Sequence, residues 1–350
     1  MRLISLLLVL LLFSCKKDDL EEVVVSSSLS DGVVVLCEGL FQQNNSTLSW
    51  INNSDGSVSN TLFSTKVGRQ LGDTGNDIKR YGGKIYIVVN VSSTIEVLDA
   101  INFTSVAQIS MMENGVAKQP RNIEFYGDKA YVTCFDGFVD VFDTTSFNIS
   151  QRIAVGLNPE DLTVSGSKLF VTNSGGLNSP LMDSTVSIID LNTNAEIDRI
   201  TVGKNPGGCL TDNEGDVYVI TRGDYGAIPS RLVRINSLSN MVAENFSFDA
   251  SGLTKMNDKI IISYYDFSTS MSRVDLFDPI SETIVEPNFI DLSGINTLYG
   301  VHYNPFRNSI YLSDAMSFTN TGYVHEYSTS GNLLSTYHVG LNPSKFIFYE

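Results

Sequence analysis

Residues 157–173 read LNPEDLTVSGSKLFVTN: an extended start at a proline, a tight turn of Ser, Gly and Ser before a lysine, then a run of apolar and β-branched residues. The same grammar returns in QPRNIEFYGDKAYVTC at 119–134 and in GNDIKRYGGKIYIVVN at 75–90. Pro120, Pro159, Pro206 and Pro343 sit just before a strand, and Asn76, Ser251 and Leu298 hold the matching places where proline is missing. Successive spacings between these landmarks are 44, 39, 47, 45, 47 and 45 residues. A period in the forties, made of short strands and turns, points to β-propeller blades and away from helical repeats.

Each unit parses as four strands, for example RNIEFY, KAYVTC, GFVDVFD and ISQRIAV within 121–155. No segment carries a long 3.6-residue periodicity, so helix is nearly absent from this reading. The second strands, among them KIYIVVN, KLFVTN and SIYLSD, are almost continuously apolar, as expected of strands buried on both faces between neighbouring blades. Six complete units begin near 76, 120, 159, 206, 251 and 298. GVVVLCEGL, TLSWIN and VSNTLFS near the N-terminus read as three strands lacking a first, and NPSKFIFYE at the C-terminus reads as a first strand lacking the rest. Paired, they complete a seventh blade and remove the last exposed sheet edge. The expected architecture is all-β: a single seven-bladed β-propeller over 31–350, with N- and C-terminal strands closing one blade.

The formal charge is -16, from 39 acidic and 23 basic residues, and no stripe of Lys and Arg interrupts it. Such a surface repels a phosphate backbone and argues against nucleic acid as a partner. The first fifteen residues, MRLISLLLVLLLFSC, combine one basic residue, an apolar run too short for a membrane span, and Ser-Cys at a processing site. Small residues before a cysteine resemble the lipobox of bacterial lipoproteins. That resemblance implies a signal peptide at 1–14, lipidation of Cys15, and a tether over 15–30. KKDDLEE after the cysteine is similar to the export signal of surface lipoproteins of Bacteroidota. The implied place is the outer membrane, facing outward and held through the lipid anchor only.

FVTN at 170–173, YVTC at 131–134 and YVIT at 218–221 resemble the repeat of the YVTN or YncE-like β-propeller family, a motif that specifies a fold and no function. CEGLFQQNNSTLSWINNSDGSVSN, GRQLGDTGNDIKRYGGKIYIVVNVSSTIEVLD and QPRNIEFYGDKAYVTCFDGFVDVFDTTSF look like the surface lipoprotein propellers of gut Bacteroidota, including the BtuG type. This likeness implies capture of cobalamin or a related corrinoid and its delivery to an outer-membrane TonB-dependent transporter.

In a propeller, the loops between second and third strands share one face with the inter-blade loops. Here those loops are long and irregular, as in NSGGLNSPLMDS, RGDYGAIPS and DAMSFTNTG, whereas hairpin turns such as YGGK and YGDK on the opposite face are short. Variable loops on a rigid scaffold are where recognition resides. The expected ligand-binding set is Arg69, Asn76, Asp77, Arg121, Asn122, Phe135, Asp224, Tyr225, Tyr265, Tyr299 and Phe318, with Phe41, Arg222 and Phe267 on the same face. Aromatic platforms beside Arg and amide groups suit a corrinoid, and equally a glycan or a protein loop; the alternative for each aromatic is loop packing.

No enzyme activity, cofactor or metal site is expected. His302, His325 and His338 lie on different strands of one unit, and Cys37, Cys134 and Cys209 fall in units that are not ring neighbours, reading as buried thiols. A competing hypothesis is a lactone hydrolase using Asp77, Glu160 and Asp161 at the channel mouth, although acids recurring at strand starts also cap turns. The remaining alternative is an interaction module that binds a protein or a glycan.

Overall fold

The structure is a computed structural model that describes residues 29–266 and 268–350; the leader, Cys15 and most of the tether lie outside the described residues, as does Phe267. Among the described residues, seven four-stranded antiparallel sheets form the propeller, and Met112–Glu113 pairs with Val116–Ala117 in one small two-stranded sheet. Blades 2, 3 and 4 have their inner strands at Gly75–Tyr81, Pro120–Tyr126 and Pro159–Ser165. Those of blades 5, 6 and 7 are Pro206–Thr211, Gly252–Met256 and Leu298–Asn304. Blade 1 takes its inner strand from the C-terminus: Pro343–Tyr349 pairs antiparallel with Gly32–Cys37, followed outward by Thr47–Asn52 and Val58–Ser59. Each inner strand touches the inner strands of both neighbours, and the contacts close into a ring. The seven-bladed architecture and its closure are as the repeat spacing predicts.

Seven apolar clusters hold the blades, one in each interface between neighbours. The second strands explain their own composition. Ile85 and Ile87 point into the cluster shared with blade 1, and Tyr86 and Val88 into the one shared with blade 3. A strand that serves two interfaces must be apolar at every position. Tyr86, Tyr131, Phe170, Tyr218 and Tyr311 recur within these strands and are fully buried.

VSNTLFS is only partly a strand. After Val58–Ser59 the chain turns into a short helix, Leu62–Val67, which buries Leu62 and Phe63 and ends at Gly68 in the left-handed conformation. Glycine adopts that conformation without a steric penalty, and its N–H satisfies the carbonyl of Ser64.

Two kinds of hydrogen bond fix the inner ring. Five inner strands follow a non-glycine residue with positive φ: Thr74, Gln119, Asn158, Asn205 and Asn342. The carbonyl of each accepts the N–H of the residue just past the second strand of its blade, respectively Asn90, Phe135, Ser174, Arg222 and Glu38. Side chains then tie blade to blade. Asp77 accepts the N–H of Ile123 (3.1 Å), Asp161 that of Cys209 (3.0 Å), and Asn122 donates to the carbonyl of Glu160 (2.8 Å). Further round, Thr254 donates to the carbonyl of Val301 (2.5 Å) and His302 to that of Ser344 (2.8 Å).

Truncation after Asn342 should abolish the folded monomer. It removes the buried side chains of Phe346, Ile347 and Tyr349, about 1.5–3 kcal/mol each, against the roughly 5–15 kcal/mol that keeps a domain folded. Circular dichroism and gel filtration check this, and a cooperative, monomeric truncated protein contradicts it. Asp161→Ala should cost about 1–3 kcal/mol without changing the fold, because it orphans the N–H groups of Leu162 and Cys209; denaturant titration measures the loss, and unchanged stability would deny the tether.

Candidate functional site

The central channel widens at the loop face into a chamber of about 580 Å³, walled by all seven inner strands. The carbonyl clamps described above set its rim, because they bring the residue after each second strand to the mouth; Glu38 and Arg222 line the chamber from this position. Deeper in, equivalent positions of the inner strands, the third residue in every blade except blade 6, carry Asp77, Asn122, Asp161 and Lys345 in blades 2, 3, 4 and 1, and glycines 208, 252 and 300 in blades 5, 6 and 7. One side of the wall is therefore polar and charged, and the other bare. Tyr264, Tyr265 and Tyr299 line the chamber on the blade 6 and 7 side.

Charges in the chamber are mostly committed. Arg121 donates to Glu160 (2.5 Å) and to the amide oxygen of Asn76, while its guanidinium lies over the Phe135 ring at 4.6 Å. Arg222 approaches the same Glu160 oxygen at 3.6 Å. Burial acts to raise the Glu160 pKa, but the two guanidiniums outweigh it and hold the group below its ordinary range. Glu38 behaves oppositely: burial lifts its pKa despite a 2.7 Å hydrogen bond from the Tyr299 hydroxyl. Burial also lifts Asp161. His302 is pushed down to about 3 by burial, with Lys345 adding to the effect, and is neutral. Lys79 is paired with Glu124 at 2.6 Å. Both oxygens of Asp77 accept backbone N–H groups, from Ile78 and Ile123, and both of Asp161 do so from Leu162 and Cys209. These acids cap strands, which is the alternative reading of their position in sequence.

Of the expected ligand-binding residues, Asn76, Asp77, Arg121, Asn122, Tyr265 and Tyr299 line the chamber together, and Arg222 joins them. Phe135 sits beneath Arg121 at the rim, and Phe318 packs edge-on against Tyr299 with centroids 5.8 Å apart. Arg69 stands apart, because both its terminal nitrogens bind buried Glu96 at 3.0 and 2.6 Å. Asp224 is used by its own loop, accepting the N–H groups of Gly226 and Ile228. Tyr225, at positive φ, projects into solvent with 71% of its surface exposed, and Phe41 with 66%. Cys209 also departs from expectation: it lines the chamber half-buried, whereas Cys37 and Cys134 are buried.

Glu38, Lys79, Tyr264, His302 and Lys345 line the chamber and are absent from the sequence-based set. Two were within reach of the repeat. Glu38 follows its second strand as Phe135 and Arg222 follow theirs, and Lys345 holds the third position of its inner strand, as Asp77 and Asn122 do.

Solved structures similar to this chain share its fold at low sequence identity. A quinoprotein alcohol dehydrogenase-like protein from Bacteroides thetaiotaomicron aligns with a TM-score of 0.68 and 16% identity, over 92% of this chain and 79% of that one. Hydrazine synthase of Kuenenia stuttgartiensis aligns at 0.60 and 17%, over 75% and 85%. The WD40 domain of Pan2 from Neurospora crassa aligns at 0.56 and 10%, over 79% and 81%. No curated protein matches the chain by sequence. Residues 31–349, the span of the whole propeller, match the domain of unknown function DUF5074, and the chain belongs to that family.

Proposed function

We propose that this protein is a cell-surface binding lipoprotein that takes a small nutrient ligand at the channel mouth, with cobalamin or a related corrinoid the leading candidate, and passes it to an outer-membrane TonB-dependent transporter. The observation that carries the reading is the chamber itself. Its volume of about 580 Å³ falls within the range of small-molecule sites, and its wall combines aromatic rings with convergent polar groups, the usual make-up of such sites. A corrinoid, with its wide macrocycle, would lie across the mouth and send amide arms toward Asn76, Arg121 and Tyr299. The exposed rings of Phe41 and Tyr225 on the surrounding loops offer apolar surface for it. The reading assigns the chain no catalytic step.

A second reading, a protein-binding module, is favoured by blade 4. Leu157, Leu177 and Leu181 are exposed there at 53%, 66% and 80% on loops joined by the N–H of Gly175 to the carbonyl of Leu157. Exposed leucines rimmed by polar residues mark contact surfaces for other macromolecules.

Cyanocobalamin should co-elute with the purified protein in gel filtration and raise its melting temperature by mass action. Tyr225→Ala and Phe41→Ala should weaken capture about three- to tenfold with melting of the free protein unchanged, since both rings are exposed. Absence of co-elution sinks the corrinoid assignment, and unchanged affinity in both variants moves the ligand off the loop rim.

A further inference from the structure

Lys345 is a chamber cation without a direct partner, and its charge acts on Asp161 and Glu38 only through space. Its ammonium makes no hydrogen bond and no ion pair with any described residue, although it belongs to the closing strand at the centre of the wall. The acids of the chamber take their hydrogen bonds from other groups: Glu38 from Tyr299, Glu160 from Arg121, and Asp77 and Asp161 from backbone N–H groups. His302, on the adjacent inner strand of blade 7, is neutral and donates to the Ser344 carbonyl. Lysine retains strong hydration and a flexible stem, so an unpaired one facing a chamber is a point charge available to a ligand.

A second cation is only partly satisfied. Arg222 reaches Glu160 at 3.6 Å, over an oxygen already held by Arg121 at 2.5 Å. Gly207 makes room for this guanidinium, since a Cβ there would sit 2.5 Å from its Cζ. Buried Nε of Arg121 has no partner either. Four bases, Lys79, Arg121, Arg222 and Lys345, and four acids, Glu38, Asp77, Glu160 and Asp161, line the chamber, so its formal charges balance, while the Lys345 ammonium has no direct partner and Arg222 only a distant one, in a protein whose net charge is -16. A cation without a direct partner, facing a chamber within a surface of opposite sign, selects a ligand group of negative charge at that point.

We infer that the chamber is a subsite for a small organic anion, whose carboxylate is received by Lys345 with Arg222 in support, and whose carbon body lies against Tyr264, Tyr265 and Tyr299. This rests on the reading of the channel mouth as a ligand site and names the chemistry that site selects. The tyrosine wall favours an organic acid over a bare inorganic anion, because aromatic faces contribute only to a ligand with apolar surface to cover.

The test titrates succinate, inorganic phosphate and neutral succinamide into the purified protein at constant ionic strength, by calorimetry, with cyanocobalamin as a separate arm. Succinate should bind more tightly than either comparator. Lys345→Met, which keeps the apolar stem, should weaken succinate about tenfold or more, while Lys345→Arg retains most of the affinity and the melting temperatures of both variants stay near that of the parent. Succinate binding undiminished in Lys345→Met overturns the assignment, as does phosphate binding as tightly as succinate. Succinamide or cyanocobalamin binding without any succinate binding also overturns it and leaves the channel mouth as a ligand site; no binding in any arm removes both.

Discussion

Pairing of the last strand with the first is the constraint on which the rest of this molecule depends. Gly32 lies opposite Tyr349 and Val35 opposite Phe346. This register seats Trp50 against Gly32 and edge-on to Tyr349, with ring centroids 5.7 Å apart. Two of the seven apolar interfaces, those of blade 1 with blades 2 and 7, draw residues from both chain ends. Without the pairing, six blades would present open edges and a channel with one wall missing. A slip of one residue would turn Lys345 away from the chamber and expose the apolar set.

Closure also explains why scaffold and site cannot be cleanly separated. Asn76, Asp77, Asn122, Glu160 and Asp161 line the chamber, yet each also joins one inner strand to another or caps its own. Buried polar groups with all partners in place hold a site rigid, while a single missing partner costs the full desolvation of what remains. Substituting these residues therefore tests the fold before it tests binding. The groups with capacity to spare are Lys345, Arg222 and the exposed rings at the rim, and these separate recognition from stability.

Most of the architecture was legible because the repeat is written in turn chemistry and strand composition. Prolines at the starts of inner strands, Gly, Asn and Asp in the hairpins, and second strands apolar at every position together gave the blade number, the closure and the face that carries the long loops. The site was legible only by position. Residues at the start of inner strands, such as Arg121 and Asn122, were found because propeller geometry places that position at the channel. Arg69 and Asp224 were not separable from true liners, since their partners, Glu96 across the blade and the N–H groups of a local turn, depend on distances that spacing does not encode. The helix at Leu62–Val67 was hidden because six residues are too few to show a period. Lys345 belongs to a strand that is incomplete in sequence, so its register with Asp77 and Asn122 emerges only once the two chain ends are paired.

Recognition at the channel mouth requires that a ligand be held there. The most direct measurement is a crystal structure of the protein grown with cyanocobalamin, and of a second crystal soaked in succinate. Ligand density should lie over the chamber in both, the macrocycle spanning the rim near Tyr225 and Tyr299 and the carboxylate within hydrogen-bonding distance of Lys345. Ligand bound on the outer strands or on the short-turn face, with the chamber holding only water, would contradict this.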